Sequence, residues 1–211
     1  MFKVPGKSKM RVLLLLPVAM LAACGETKTA EAKDPCAQVS AMMEGRQEMP
    51  PFSNLKGEQA MMGETTLPDS WESTQDTLDG ACRVNKMGGF FGADTAIYTY
   101  SCNMFEAGTT DEEADGKLAE AAYQKAVDQI TACLGDAWTA ETETESADHP
   151  VYHKTTFEPV EPEEQIGDFR VYPLYVEKSF TPFFGRTRGT TPGWKVTLQA
   201  QKQVEGEGEG E

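Results

Sequence analysis

The chain begins with a run of basic residues followed by a run without any charge. Lys3, Lys7, Lys9 and Arg11 are the only charged side chains among the first 23 residues, and residues 12–23 are uncharged. This is the arrangement of a secretory signal peptide, with an n-region and an h-region. Twelve helical residues span about 18 Å, whereas a hydrocarbon core of about 30 Å needs roughly 20 residues. The segment is therefore predicted to direct export, and the rest of the chain must fold in an oxidising compartment.

The uncharged run closes on Leu21-Ala22-Ala23-Cys24, followed by Gly25. This segment resembles the lipobox of bacterial lipoproteins. The resemblance covers residues 1–25 only and implies removal of the signal peptide 1–23, a diacylglyceryl group on the Cys24 thiol and an acylated amino terminus, with palmitate-type chains. The alternative is an ordinary secretory signal cut after Ala23, with Cys24 as a spare cysteine. Gly25, rather than Asp, resembles the pattern sent to the outer membrane, so the expected location is the cell envelope, lipid-anchored at the periplasmic face of that membrane.

The charge balance is strongly acidic. The chain has 19 Lys and Arg against 34 Asp and Glu, for a net charge of -15, and removal of the signal takes four cations, giving 15 − 34 = −19. Nucleic-acid binding and polybasic attachment to a membrane surface both require a basic surface. The sequence therefore predicts no nucleic-acid partner, and membrane contact through the N-terminal lipid.

Four cysteines remain once Cys24 is set aside. An even number in an exported chain predicts two disulfide bonds, with three connectivities open. Cys82 and Cys102 flank a predicted hairpin that is symmetric about residue 92, which would place the two residues opposite each other at bridging distance. The favoured pairing is therefore Cys82 with Cys102 and Cys36 with Cys133. No C-x-x-C spacing occurs, so a zinc site is disfavoured.

Two helices are predicted. Asp34-Pro35 is typical of an N-cap and first turn, and the helix would place Cys36, Val39 and Met43 on one face and end at Gly45. Residues 110–113 (TDEE) form a capping box before a longer helix that would end at Leu134, with Gly135 as its stop. The apolar stripe of this second helix should pack on a sheet; it comprises Leu118, Ala122, Ala126, Val127, Ile130, Cys133 and Leu134.

Segments rich in β-branched and aromatic residues alternate with Pro and Gly. They cover residues 81–84, 96–102, 151–157, 169–176 and 194–201, with a further candidate over 71–77. Together with the two helices they predict a single α+β domain over residues 34–203, an antiparallel sheet of about five strands with two helices packed on one face. Residues 24–33 are predicted to form the lipidated cysteine and a flexible tether, and residues 204–211 a disordered acidic tail. No internal repeat is evident.

Motifs that would indicate catalysis or metal binding are weak. His149 and His153 are separated by Pro150, which disfavours a helical pair of ligands. The methionines could bind Cu(I), but core packing is the favoured interpretation, because adjacent methionines on a helix point different ways. No G-x-S-x-G or calcium-loop spacing occurs, so no catalytic residue, metal or cofactor is predicted. The methionines in question are Met42, Met43, Met49, Met61 and Met62.

Residues 178–204 contain five basic residues and no Asp or Glu. Aromatic residues and arginines in this stretch have the composition of interface anchors. The predicted partner-binding residues are Phe183, Phe184, Arg186, Arg188 and Trp194, facing an envelope protein, lipid headgroups or cell-wall polymer. The alternative is a hairpin connection whose phenylalanines cover the core and whose arginines pair with the acidic surface.

The function predicted from these features is a lipid-anchored cell-envelope protein without enzymatic activity, acting as a binding or accessory module. One alternative is an exported hydrolase of envelope polymers, which needs two carboxyls with separated pKa values in a deep pocket. The other is an acidic inhibitor or immunity-type protein that neutralises a basic enzyme or toxin.

Overall fold

The computed structural model describes residues 34–88, 95–108, 111–144, 151–163, 166, 170–183 and 191–205. The signal segment, Cys24 and the tether to residue 33 lie outside the described residues. So do Thr110, His149, Phe184, Arg186, Arg188 and residues 206–211 of the acidic tail.

The described residues form two α-helices, two short 3₁₀ turns and eight strands. The first half contains α1 (Pro35–Arg46), a 3₁₀ turn (Ser53–Leu55) and strands β1 (Lys56–Met62), β2 (Thr65–Ser73), β3 (Ala81–Gly88) and β4 (Thr95–Ala107). The second half contains α2 (Glu112–Leu134), a 3₁₀ turn (Gly135–Ala137) and strands β5 (Trp138–Glu143), β6 (Val151–Pro159), β7 (Leu174–Thr181) and β8 (Gly193–Glu205).

The eight strands make one antiparallel sheet in the order β1-β2-β3-β4-β8-β7-β6-β5. The predicted α+β domain with about five strands is therefore wrong: the fold is mostly β. Strands β1 and β5 were missed because they are the two edges of the sheet and are almost entirely exposed, so neither shows the apolar alternation of a half-buried strand. The candidate over residues 169–176 lies too early, since β7 begins at Leu174. Val204 and Glu205 belong to β8 rather than to a tail.

The element order repeats. Each half consists of a helix, a 3₁₀ turn and four consecutive antiparallel strands, and the last strands of the two halves, β4 and β8, pair at the centre of the sheet. The repeat is not evident in the sequence because its parts differ in length: α1 has 12 residues and α2 has 23.

Helix α1 begins and ends close to the predicted residues. The Asp34 carboxylate accepts a hydrogen bond from the Cys36 backbone N–H at 3.0 Å, and Pro35 occupies the first turn. Val39 and Met42 are fully buried, whereas Met43 packs at the edge of the core. The helix therefore presents Met42, rather than Met43, to the centre of the core.

Helix α2 is capped by Asp111, whose carboxylate accepts from the Ala114 N–H at 3.0 Å, and it ends at Leu134 before Gly135, which has φ 61°. The end of the helix is as predicted. The predicted stripe is out of phase at its start: Leu118 is 57% exposed. The buried positions recur at intervals of three and four residues, as expected for one helical face; they are Ala119, Tyr123, Ala126 and Ile130.

The β3–β4 hairpin has the predicted register. Cys82 lies opposite Cys102, and the pairing continues from Ala81 with Asn103 to Gly88 with Ala96. The structure contains disulfides Cys82–Cys102, within this hairpin, and Cys36–Cys133, between the start of α1 and the end of α2. This is the favoured pairing.

Both helices lie on the same side of the sheet. The Tyr123 hydroxyl of α2 is 2.6 Å from the Thr155 hydroxyl of β6, and the Phe52 ring after α1 stacks on Tyr100 of β4. The buried apolar residues of the central strands point to this side; they include Val84, Tyr100, Leu174, Val176, Val196 and Leu198. Since side chains alternate along a strand, the other residues of each strand form a second face, which neither helix covers. We call it the open face.

Candidate functional site

The open face combines uncharged polar side chains at its centre with charges at its sides. Strands β4 and β8 contribute residues with hydroxyl or amide groups, all half-buried: Thr99, Ser101, Asn103, Thr197, Gln199 and Gln201. Uncharged hydrogen-bonding groups therefore form a strip along the two central strands, β4 and β8.

Cross-strand register aligns these residues into rows that run across the sheet. One row consists of Glu143, Lys154, Glu177, Thr197 and Asn103, from β5 to β4. The row beside it contains Tyr175 between Thr156 and Gln199. Residues in such rows have Cβ atoms about 4.5–5.5 Å apart, so a single ligand can contact several of them.

Two tyrosines enclose a lysine on the β6–β7 part of the open face. The Lys154 Nζ lies 3.6 Å from the ring centroid of Tyr172 and 4.6 Å from that of Tyr175. The two rings meet edge to face at 6.1 Å. Arg170 lies 5.2 Å from the Tyr172 ring and donates to Glu158 at 2.5 Å. We call Lys154, Tyr172 and Tyr175, with Tyr152 beside them, the tyrosine–lysine cluster.

Burial and nearby carboxylates keep the phenols of Tyr152 and Tyr175 neutral. Burial, together with Glu177 and Glu143, raises the pKa of Tyr152 to about 12. Burial and Glu177 also raise the pKa of Tyr175. Burial lowers the pKa of Lys154, while Glu143 and Glu177 act in the opposite direction. At neutral pH the tyrosines therefore present hydroxyl groups and aromatic faces, which suits binding rather than proton abstraction.

A cavity of about 210 Å³ lies beside the end of α1, the last residues of strand β8 and the segment that leads into β7. Its walls carry five charged residues and five apolar ones, among others; they are Arg46, Glu158, Glu163, Arg170 and Lys202, and Pro159, Pro162, Ile166, Val171 and Pro173. The cavity thus joins three cations, two carboxylates and a mostly proline-lined apolar wall.

Glu163 is the centre of the charge network in this cavity. The Arg46 side chain is only 3% exposed, forks onto the two carboxylate oxygens of Glu163, and donates through Nε to the Gln201 carbonyl. Lys202 donates to the same carboxylate at 2.8 Å. The hydrogen bond from Arg46 is the main reason that the pKa of Glu163 falls to about 2. Glu163 is therefore an anion at neutral pH and cannot serve as the proton donor that a carboxylate hydrolase needs.

Of the five predicted partner-binding residues, the structure describes Phe183 and Trp194. Trp194 is buried under α2: its ring packs against Phe180 at 4.9 Å, and its indole N–H donates to the Glu112 carbonyl at 2.9 Å. It is therefore part of the core. Phe183 is 57% exposed at the end of the described part of the β7–β8 connection.

Other candidate residues are dispersed. His153 packs edge to face on Tyr123 of α2. Met42 is buried, whereas Met49 and Met62 are 78% and 68% exposed. Within the described ranges, no three His, Cys, Asp or Glu side chains converge in a way that could hold a metal ion.

Sequence reasoning missed the open face because its residues come from separate strands and meet only through register. The signal that could have revealed it is the alternation in β8, where Val196, Leu198 and Ala200 face the core and the residues between them are polar.

Comparison with known proteins adds no relative: no protein-family model, curated protein or solved structure matches this chain. In the described part of the chain, neither helix has the length and apolar character needed to cross a bilayer.

Proposed function

We propose that this protein is an exported, lipid-anchored binding module of the cell envelope that docks a folded, basic partner protein on the open face of its sheet. The observation that carries the proposal is the side of the eight-stranded sheet that neither helix covers in the described part of the chain, with half-buried polar side chains at its centre and tyrosines beside them. The lipid anchor rests on the lipobox-like segment that ends at Cys24.

The dimensions of the face suit a protein partner. Eight strands about 4.8 Å apart span about 34 Å, and six residues of a strand span about 20 Å. The face therefore extends over about 700 Å², which is of the same order as the roughly 800 Å² that each partner buries in a standard protein interface.

The composition of the face supports the same conclusion. Tyrosines supply large contact areas with little loss of side-chain freedom, and Ser, Thr, Asn and Gln supply adaptable hydrogen bonds. Antibody paratopes, which bind folded proteins, use a similar mixture. The open face has the hydroxyl and amide groups at its centre, where interface contacts are most effective, and the tyrosines beside them at β6 and β7.

Charge complementarity favours a basic partner. The β5–β7 side of the face carries Glu141, Glu143, Glu158 and Glu177 against Lys154 and Arg170. After loss of the signal, the whole chain would carry a net charge of −19, from 15 cations and 34 anions. A negative rim accelerates association with a positive protein and makes the rate sensitive to salt.

The anchor is tested with Cys24→Ser. We expect the wild type to incorporate labelled palmitate and to sediment with membranes, and the variant to lose both. A variant that is processed at the same site and sediments as firmly as the wild type would refute the anchor.

The docking face is tested with a photo-crosslinking amino acid placed in intact cells at Gln199, on the open face, or at Gln124, on the exposed side of α2. We expect Gln199 to give one discrete adduct with a protein of basic isoelectric point, and Gln124 to give none. The purified partner should then bind the wild type in a salt-sensitive manner, and Gln199→Arg should weaken it at least tenfold. Equal adducts from both positions, or an acidic partner, would reject the open face.

A further inference from the structure

The cavity next to Glu163 differs in charge from the rest of the molecule. It contains three cations, Arg46, Arg170 and Lys202, against the carboxylates of Glu158 and Glu163, in a chain whose net charge is -15. One additional negative charge would balance these five groups. The cavity therefore has the electrostatics of a site for a monoanion, in a chain whose overall charge is negative.

Arg46 and Lys202 are positioned by Glu163 before any ligand arrives. Arg46 is 3% exposed and is fixed by the Gln201 carbonyl as well as by Glu163. Lys202 is 26% exposed and Arg170 is 63% exposed, so both retain solvent-facing donors that a ligand can reach. A buried guanidinium with an accessible ammonium beside it is a preorganised arrangement for a carboxylate group.

The size and the apolar wall define the rest of the ligand. The cavity has a volume of about 210 Å³. A protein cavity of about 150 Å³ is known to hold benzene, so this one accommodates an aromatic ring together with one carboxylate group. Pro159, Pro162 and Pro173 line it and offer rigid apolar surfaces for such a ring.

We propose that this cavity binds a small organic carboxylate with an apolar body, its anion contacting Lys202 and Arg170 and its body lying against the prolines. In the absence of ligand, the Glu163 carboxylate takes the position between Arg46 and Lys202 and acts as an internal competitor. The site shares Glu158 and Arg170 with the side of the open face, and it does not rest on partner docking or on the lipid anchor.

The test titrates the full chain with benzoate by calorimetry, with uncharged benzamide as the matched ligand. We expect benzoate to bind at least tenfold more tightly than benzamide. Lys202→Met should weaken benzoate binding at least tenfold, whereas Lys117→Met, which removes an exposed lysine from α2, should leave it unchanged. Equal binding of the two ligands, or no heat with benzoate up to about 10 mM, would overturn the proposal.

The variant Glu163→Gln distinguishes an internal competitor from a purely structural ion pair, because only loss of a competitor would tighten benzoate binding. Removal of the competing carboxylate should tighten benzoate binding at least tenfold, provided that circular dichroism shows the variant to be folded. If it does not fold, Glu158→Gln, which releases Arg170, supplies the same test with the same expected direction. Unchanged or weaker binding in the folded variant contradicts the internal competitor and, with it, the proposed site.

Discussion

Removal of the Cys36–Cys133 disulfide should cost more stability than any other change to the fold that spares its core. The perturbation is the double replacement Cys36→Ala/Cys133→Ala, which leaves no free thiol at either position. Both cysteines are only half-buried, so little packing is lost with the sulfur atoms. The expected effect therefore comes mainly from the unfolded chain, which becomes free to separate α1 from α2.

The magnitude follows from the length of the closed loop. The bridge spans 97 residues of sequence, for which the loop-entropy relation gives about 4.7 kcal/mol at 25 °C. The Cys82–Cys102 bridge spans 20 residues and gives about 3.3 kcal/mol from the same relation. Cys82 and Cys102 are buried, so their replacement also leaves a cavity, and the total losses of stability for the two double variants should be comparable.

Urea unfolding monitored by tryptophan fluorescence separates the loss due to loop entropy from the loss due to a cavity. The slope of unfolding free energy against urea should rise more for Cys36→Ala/Cys133→Ala than for Cys82→Ala/Cys102→Ala, because opening the longer loop exposes more surface in the unfolded state. A loss below about 2 kcal/mol for the first variant, or an equal rise in slope for both, would refute the loop-entropy account.

Two further predictions concern packing and pH. Gly116→Ala should destabilise the protein by about 1–2 kcal/mol in urea unfolding, because the added Cβ would lie 2.8 Å from the Trp194 ring. This steric cost should exceed the gain of about 1 kcal/mol that alanine gives over glycine in a helix. An increase in stability would contradict this packing. Glu163 has a folded-state pKa of about 2, below its ordinary 4.5, so its stabilising contribution is present above pH 4.5 and is lost as pH falls towards 2. The wild type should therefore exceed Glu163→Gln by up to about 3 kcal/mol at pH 7 and by progressively less in acid, and a constant difference between pH 5 and pH 2.5 would refute the assignment.

The features predicted well from the sequence are those set by local chemistry or by symmetry. The cap at Asp34 and the stop at Gly135 depend on neighbouring residues alone. The β3–β4 register follows from the equal distances of Cys82 and Cys102 from the turn. In each case the determinant lies within a few residues or is fixed by one long-range bond.

The edge strands were missed because nothing buries them. Strand β5 is exposed at every position after Trp138, and β1 pairs with β2 through two register shifts that interrupt its alternation. Edge strands with charges and bulges resist pairing with other chains, and the same features hide them from a search for alternating apolar residues.

Trp194 shows why composition alone does not predict which side of a sheet a side chain occupies. An aromatic residue near arginines resembles an interface anchor, but the register of β8 places this side chain on the helix-covered side of the sheet, next to Val196 and Leu198. Its neighbour across the core is Gly116 of α2, which lies 78 residues earlier in the sequence. This is a tertiary contact, and no local sequence pattern predicts it.

The pairing of β4 with β8 accounts for the width of the open face. Helix α2 lies against β4, β7 and β8, and helix α1 lies against α2 and β8, so both helices are on one side of the sheet. The other side is continuous across the junction of β4 with β8, and it carries the strip of Thr99, Ser101, Thr197 and Gln199. The strip exists only because both central strands contribute to it, so a partner that docks there contacts both halves at once and should stabilise their association as well as bind to them.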